Sequence, residues 1–215
     1  MLNNSKDNML SQQIRTWGKV DAAIEGLFRR IDRAGFLLPA FQDFAYADMD
    51  LPTLHGEIML SPVVQAKLLQ AADVQAGETV LEVGTGNGFL TALLAQLAQH
   101  VTSVEYYVDL QEVAAQNLAR VGCQNVSLAV GNAASGWKLD QPVDVVVLTG
   151  GLPFLPEAFK KCVKPGGRIV AILGEAAAMQ VTVLRQPESR WTSEKIFETT
   201  VPLLLKASQP ERFVF

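Results

Sequence analysis

The sequence predicts an α/β fold: a doubly wound, mostly parallel sheet, with helices ahead of it and antiparallel strands behind it. Three observations carry that reading. From Glu78 onward, short β-rich apolar runs alternate with helical patterns, and such βαβ alternation builds parallel sheets. Between Val80 and Leu90 one apolar run passes straight into a glycine loop and then a helical pattern. After Lys164-Pro165-Gly166-Gly167-Arg168, a turn into the fifth strand, the alternation stops, and residues 178–186 and 191–204 read as strands without a helix between them.

Residues 5–34 read as helical with a break near Gly18. Ile14, Trp17, Val20, Ile24, Leu27, Phe28 and Ile31 recur at spacings of three and four, which draws one apolar stripe. Asp21 is placed to cap the second helix. Arg29, Arg30 and Arg33 cluster there and read as a solvated face. Residues 35–57 hold Gly35, Pro39, Pro52, Gly56 and several aromatics. That stretch is too long and too apolar for a plain linker, so an ordered loop with a functional role is expected. Ser61-Pro62 opens the next helix, to about Ala72, because serine caps and proline suits the first helical position. Strands then fall at about 79–83, 101–105, 126–130, 143–149 and 168–173, and helices at about 87–98, 108–121 and 155–162. The chain reads as one domain, 1–215: an N-terminal helical and substrate-side segment (1–75), a core (76–174) and C-terminal strands (175–215).

A net charge of −4 and a pI near 5.2 argue against a broad basic face for nucleic acid, so no nucleic-acid partner is expected. No run of 18 apolar residues exists, which argues against a membrane span. The N-terminal residues Met1 to Asp7 are polar and lack a signal-peptide core, so a cytoplasmic location is expected. Cys123 and Cys162 are far apart and read as reduced structural thiols; with only two histidines there is no zinc pattern, and no metal is expected.

The glycine loop separates ligand classes by its spacing. A dinucleotide site needs Gly-x-Gly-x-x-Gly, which would put glycine at position 89, where Phe89 stands. The glycines here are Gly84, Gly86 and Gly88, with Thr85 and Asn87 between them and Glu82 two residues ahead. That pattern resembles motif I of S-adenosylmethionine-dependent methyltransferases, whose fold is Rossmann-like. Glycine lets the backbone approach a ligand, and a helix N-terminus offers unpaired N–H groups. Glu82 either orients the loop or meets the ligand's amino group. Glu105, followed by Tyr106, ends the next strand about 20 residues on, where a carboxylate accepts from both ribose hydroxyls. Gly131-Asn132-Ala133 ends the third strand. Asn132 either meets the adenine amino group or serves the turn, which asparagine suits for conformational reasons. Thr149-Gly150-Gly151 ends the fourth. All four motifs fall at strand carboxyl ends, where open α/β sheets bind ligands.

Over nearly its whole length the chain resembles the protein-L-isoaspartate (D-aspartate) O-methyltransferases. The resemblance rests on Gln13-Ile14-Arg15 with a helix after it, Asp48-Met49-Asp50-Leu51-Pro52 leading to His55-Gly56, and Leu81 through Gly88. It continues through Val104-Glu105, Asn125-Val126 to Gly131-Asn132, and Val163-Lys164-Pro165-Gly166-Gly167-Arg168. It implies methylation of isoaspartyl carboxylates in aged proteins with S-adenosylmethionine as cofactor, and hence a protein or peptide acceptor. The family's hallmark reads His-Gly-Gln-Thr-Ile-Ser-x-Pro; this chain has His55-Gly56-Glu57-Ile58-Met59-Leu60-Ser61-Pro62. The active-site serine position falls on Leu60 and the threonine position on Ile58, while Ser61 stands one residue late as either helix cap or site residue. The family usually has aspartate where Asn132 stands. Isoaspartyl methylation is therefore expected to be absent or far below that of enzymes with the complete motif, because leucine donates no hydrogen bond to a buried carboxylate.

A carboxylate acceptor is ionised at pH 7 and needs no general base, in keeping with the lack of a Ser–His–Asp or Cys–His arrangement. His55 is the one titrating group expected near the acceptor, as a contact or as a turn residue. Two rival readings remain: an NAD-dependent oxidoreductase, disfavoured by Phe89, and a catalytically silent protein of the same fold. Binding of S-adenosylmethionine against NADH separates the first, and release of S-adenosylhomocysteine the second.

Overall fold

The structure is a computed structural model that describes residues 2–18, 20–175, 178–187 and 190–209. Helix α1 (Leu2–Asn8) continues into a π-helical stretch, Met9–Ile14, and a 3-10 turn, Arg15–Trp17. It stops at Gly18, whose φ of 130° is one that side chains resist. Helix α2 (Ala22–Arg30) starts where expected, with the Asp21 carboxylate accepting from the Ala23 N–H at 2.9 Å. The helical reading to residue 34 overruns: α2 ends at Arg30. Ile14, Ile24, Leu27, Phe28 and Ile31 of the stripe are buried, whereas the side chain of Trp17 lies outside the described residues.

The solvated-face reading of the arginine cluster is corrected at Arg33. Arg29 and Arg30 are exposed, but Arg33 is 1% exposed in a 3-10 turn, Arg33–Phe36, beyond the helix. The residues after it are ordered as expected. Further 3-10 turns, Pro39–Phe44 and Leu54–Gly56, flank β1 (Leu51–Pro52), which pairs antiparallel with β2 (Ile58–Met59) through Leu51↔Met59 and Pro52↔Ile58. That pairing fixes the hallmark segment in place.

Helix α3 (Pro62–Ala72) follows, with the Ser61 hydroxyl accepting from Val64 N–H at 3.5 Å and Pro62 at its first position. Val63, Gln65, Ala66, Leu68 and Leu69 are all buried, so the helix is enclosed nearly all round. Its far end is tied by Arg168, which donates to the Ala72 and Asp73 carbonyls and pairs with Glu78 at 2.7 Å.

Strands β3 (Thr79–Val83), β4 (His100–Glu105), β5 (Val126–Val130), β6 (Val143–Leu152), β7 (Val163–Leu173), β8 (Met179–Arg185) and β9 (Thr192–Thr199) form one sheet in the order β5-β4-β3-β6-β7-β8-β9. Pairs among β3 to β7 are parallel; β8 and β9 add antiparallel. Helices α4 (Phe89–Ala95), α5 (Val108–Arg120) and α6 (Glu157–Lys161) connect the strands. Alternate side chains enter opposite cores: Val80, Val101 and Val145 pack with α3 and α4, while Leu81, Val104 and Val146 pack with Phe159. Burying each such side chain stabilises the fold by about 1.5–3 kcal/mol.

Several boundaries differ from expectation, and three of them have a clear local reason. Helix α4 starts at Phe89, because Asn87 and Gly88 belong to the loop and Gly88 is left-handed. Strand β7 starts at Val163, with the expected turn absorbed as an irregularity between the pairs Val143↔Val163 and Val145↔Arg168. Strand β9 ends at Thr199 rather than 204; the chain then turns back, and a parallel bridge, Gly151↔Leu203, lays it beside β6. Cys123 is half-buried and Cys162 buried, both free thiols. Among the described residues no helix is long and apolar enough to cross a membrane.

Candidate functional site

A cleft of about 890 Å³ opens at the carboxyl ends of β3, β4, β5 and β6. That space includes the open solvent at its mouth. Four expected motifs meet in it: Gly84 to Asn87, Glu105 with Tyr106, Gly131 to Ala133, and Thr149 with Gly150.

The three motif glycines are required for three different reasons. A side chain at Gly84 would come 2.2 Å from the Thr149 hydroxyl, which donates to the Val83 and Gly84 carbonyls at 2.9 Å. Gly86 has φ +56° and open space where a side chain would be, so it presents bare backbone to the cleft. Gly88 does not line the cleft: it has φ +87°, and a Cβ there would come 3.2 Å from the Ala114 side chain of α5. Its expected place at the ligand is corrected to helix packing.

Glu105 is 6% exposed, and its carboxylate holds the loop. Oε2 accepts from Gly86 N–H at 2.8 Å, and Oε1 accepts from Tyr106 N–H at 2.8 Å and Tyr107 N–H at 3.1 Å. Asn87 lines the cleft with its Oδ1 accepting from Phe89 N–H at 3.4 Å, while its buried Nδ2 has no partner among the described residues. A buried, unpartnered amide beside an open glycine backbone suits a polar ligand. S-adenosylmethionine fits this half of the cleft on those two observations.

Glu82 lies behind the loop rather than in the cleft. It is fully buried, and its Oε2 accepts from the Thr91 and Ser103 hydroxyls at 2.6 Å each. Ser103 in turn accepts from Thr85 at 2.6 Å, which ties the carboxyl to the glycine loop. Of its two expected roles, orienting the loop is the one this position allows. Burial pushes its carboxyl up to about 7, against the pull of the two hydroxyls. Asn132 lines the cleft, but its Oδ1 accepts from Ala134 N–H at 3.0 Å, so its carbonyl serves the turn and only its amide N–H groups face other partners.

On the acceptor side, Leu60 lines the cleft and is 6% exposed. Ser61 does not line it; its hydroxyl caps α3 and its N–H donates to Asp50 at 2.8 Å. The site reading of Ser61 is corrected to a cap. His55 also stands outside the lining. Its ring stacks on Tyr107 with centroids 3.9 Å apart, and Nε2 meets Asp109 at 2.7 Å. That bond holds the Asp109 carboxyl below its usual range. His55 is thus a left-handed turn residue (φ 60°) pinned at the rim. Gly151 likewise leaves the wall to Thr149 and Gly150.

Sequence reasoning missed Gln65 and the returning segment Pro202 to Leu205, which line the cleft together with Glu57 of the hallmark segment. Gly151 N–H donates to the Pro202 carbonyl at 2.8 Å, and Leu204 N–H donates to the Gly151 carbonyl at 2.9 Å. The bare Gly150 makes room for Leu204, whose Cδ2 would lie 2.6 Å from any side chain there. Burial and the nearby Glu105 raise the Glu57 carboxyl. Pro202 was the one available signal, since proline ends the β9 pattern.

Known proteins share this fold and much of this sequence. The family model for protein-L-isoaspartate(D-aspartate) O-methyltransferase matches residues 4–204. The chain is 35% identical over 175 residues to protein-L-isoaspartate O-methyltransferase 1 of Rhodopseudomonas palustris, covering 81% of this chain and 71% of that one. It is 33% identical over 202 residues to the protein-L-isoaspartate O-methyltransferase of Aliivibrio fischeri, covering 94% and 97%. A solved Plasmodium falciparum structure, described as a putative protein-L-isoaspartate O-methyltransferase in complex with S-adenosyl-L-homocysteine, has the same fold at a TM-score of 0.81. That match covers 94% of this chain and 98% of the other at 17% identity. With a family model spanning nearly the whole chain and relatives above 30% identity over most of it, the protein belongs to the protein-L-isoaspartate (D-aspartate) O-methyltransferase family.

Proposed function

We propose that the protein transfers a methyl group from S-adenosylmethionine to a carboxylate of a protein or peptide, acting in the cytoplasm as one domain over residues 1–215. The carrying observation is the shape of the cleft, in which the Gly86 loop and Glu105 share one space with the hallmark segment 57–60 and the returning segment 202–205. Bound S-adenosylmethionine supplies the methyl on a sulfonium. Thr85, Gly86 and Asn87 hold its amino-acid part, Glu105 its ribose, and Gly131, Asn132 and Ala133 its adenine. Tyr106 and Thr149 border the same half. The acceptor carboxylate is already ionised at pH 7, so the protein's task is to align oxygen with methyl and exclude water. His55, outside the cleft, moves no proton in this scheme.

The test is release of S-adenosylhomocysteine across a panel of isoaspartyl peptides and small carboxylic acids. Turnover on a carboxylate is the expected result, with isoaspartyl rates well below those of relatives that carry serine at the Leu60 position. No methylation of any carboxylate by protein that binds S-adenosylhomocysteine would refute the reading.

A further inference from the structure

We propose that Gln65 is the acceptor-recognising group of the cleft, its side-chain amide donating to the acceptor carboxylate while the buried Arg33 holds it in place. The proposal deepens the reading above and rests on it for the identity of the acceptor as a carboxylate.

Residues 57–60, Gln65 and 202–205 line the part of the cleft that the reading above leaves to the acceptor. Ile58, Met59, Leu60 and Pro202 to Leu205 are apolar, so side-chain polarity comes from Glu57 and Gln65 alone. Glu57 repels a carboxylate when ionised. Among these residues Gln65 remains as the one side chain able to donate.

Its orientation is fixed by chemistry. Arg33 Nη1 donates to the Gln65 side-chain oxygen, and a guanidinium has no acceptor, so the atom facing it is Oε1. The Nε2 donors are thereby turned away from Arg33. Arg33 is itself immobile. Nη2 donates to the Leu60 carbonyl at 2.8 Å, and the guanidinium lies 5.3 Å from the centroid of the Phe89 ring. Burial lowers its pKa to about 9, which leaves it charged at neutral pH, with Asp50 and Asp48 nearby to support the charge. A cation behind an amide polarises its N–H groups toward an anion in front. The two bonds of Arg33 span the Leu60 position and Gln65, so the donor of this cleft stands on the first turn of α3, displaced from the position of the family's serine. Arg33 acts through Gln65 and is a positioning residue.

The experiment measures equilibrium binding to the S-adenosylhomocysteine complex of the full chain. The probes are an isoaspartyl peptide and the same peptide with that carboxylate converted to carboxamide. The natural protein is expected to bind the carboxylate form more tightly. Gln65→Leu should weaken that form by about tenfold and leave S-adenosylhomocysteine affinity within about twofold. Gln65→Glu keeps an acceptor for Arg33, and hence the fold, but faces the peptide with an anion. It should lose the carboxylate form and retain the carboxamide form, an inversion that a merely structural role would not produce. Equal loss of both peptides in the folded Glu variant, unchanged binding in Gln65→Leu, or no binding of the carboxylate peptide by the natural protein would each overturn the proposal. Binding of the peptide without methyl release would instead refute the transferase reading and leave the role of Gln65 to be read from the same titrations.

Discussion

Replacing Glu82 by glutamine should flatten the pH dependence of stability in the ligand-free protein. The native carboxyl is fully buried, and burial lifts it from an ordinary 4.5 to about 7. Below pH 4.5 both folded and unfolded chains hold the proton, so the contribution of Glu82 to stability is fully present. Between about 4.5 and 7 the unfolded chain releases its proton while the native chain keeps it, and stability falls as pH rises. Above about 7 both are ionised and the loss is complete. The difference is about 2.5 pH units, which at about 1.4 kcal/mol each comes to about 3 kcal/mol. Glutamine keeps an oxygen for the Thr91 and Ser103 hydroxyls and has no charge to lose. Its amide nitrogen takes the place of Oε1, which has no partner among the described residues, and this costs stability equally at every pH. Urea unfolding of both proteins from pH 4.5 to 8.5 gives the two curves. The gap between them should shift by about 3 kcal/mol in favour of the glutamine variant across that window. Parallel curves would show that Glu82 ionises normally and that its burial is relieved in a way its surroundings do not explain.

Other substitutions separate the roles inside the cleft. Gly86→Val should abolish S-adenosylhomocysteine binding by calorimetry while costing only the strain of a left-handed residue, about 1–2 kcal/mol, because the space it fills is empty of protein. Gly84→Ala should instead lower the melting temperature sharply, since its methyl meets the Thr149 hydroxyl; similar stability in the two variants would refute the distinction. Glu105→Ala should weaken S-adenosylmethionine about 10- to 100-fold by titration, from lost ribose contacts and from three backbone N–H groups left without their acceptor. An unchanged dissociation constant would place Glu105 away from the ribose. Ile58→Thr combined with Leu60→Ser should raise isoaspartyl turnover well above that of the natural protein; efficient turnover by the natural protein would show that the missing hydroxyls were never needed.

The parts of the site that lie in one stretch of chain were legible in the sequence. Gly84 to Asn87 follows an apolar strand directly, and Glu105 ends the next, so period and spacing locate them on one sheet edge. Partners brought together from far apart were not legible. Nothing near Arg33 marks it as buried, because its acceptors, Gln65 and the Leu60 carbonyl, lie 32 and 27 residues away. Gly88 reads like its neighbours until Ala114 of another helix is seen against it. Residues 200–205 carry an apolar pattern that suits a strand, and only the end of β6, which runs on past its last pair with β3, decides that they leave β9 and turn back. Ser61 was ambiguous in sequence because both a cap and a reacting hydroxyl want serine before Pro62; the lining of the cleft decides for the cap.

The return of residues 202–205 onto β6 has a consequence for how the protein matures. The glycine loop, Glu105 and the hallmark segment are all synthesised before residue 110, yet the wall that faces them, Leu203 and Leu204, arrives about a hundred residues later. Its hydrogen bonds to Gly151 span more than fifty positions, and contacts of such separation form late because chain closure precedes any reward. A nascent or partly folded chain therefore holds half a cleft, open to water and without its apolar side. Competence for ligand comes as a final step, taken after the sheet is laid down rather than along with it.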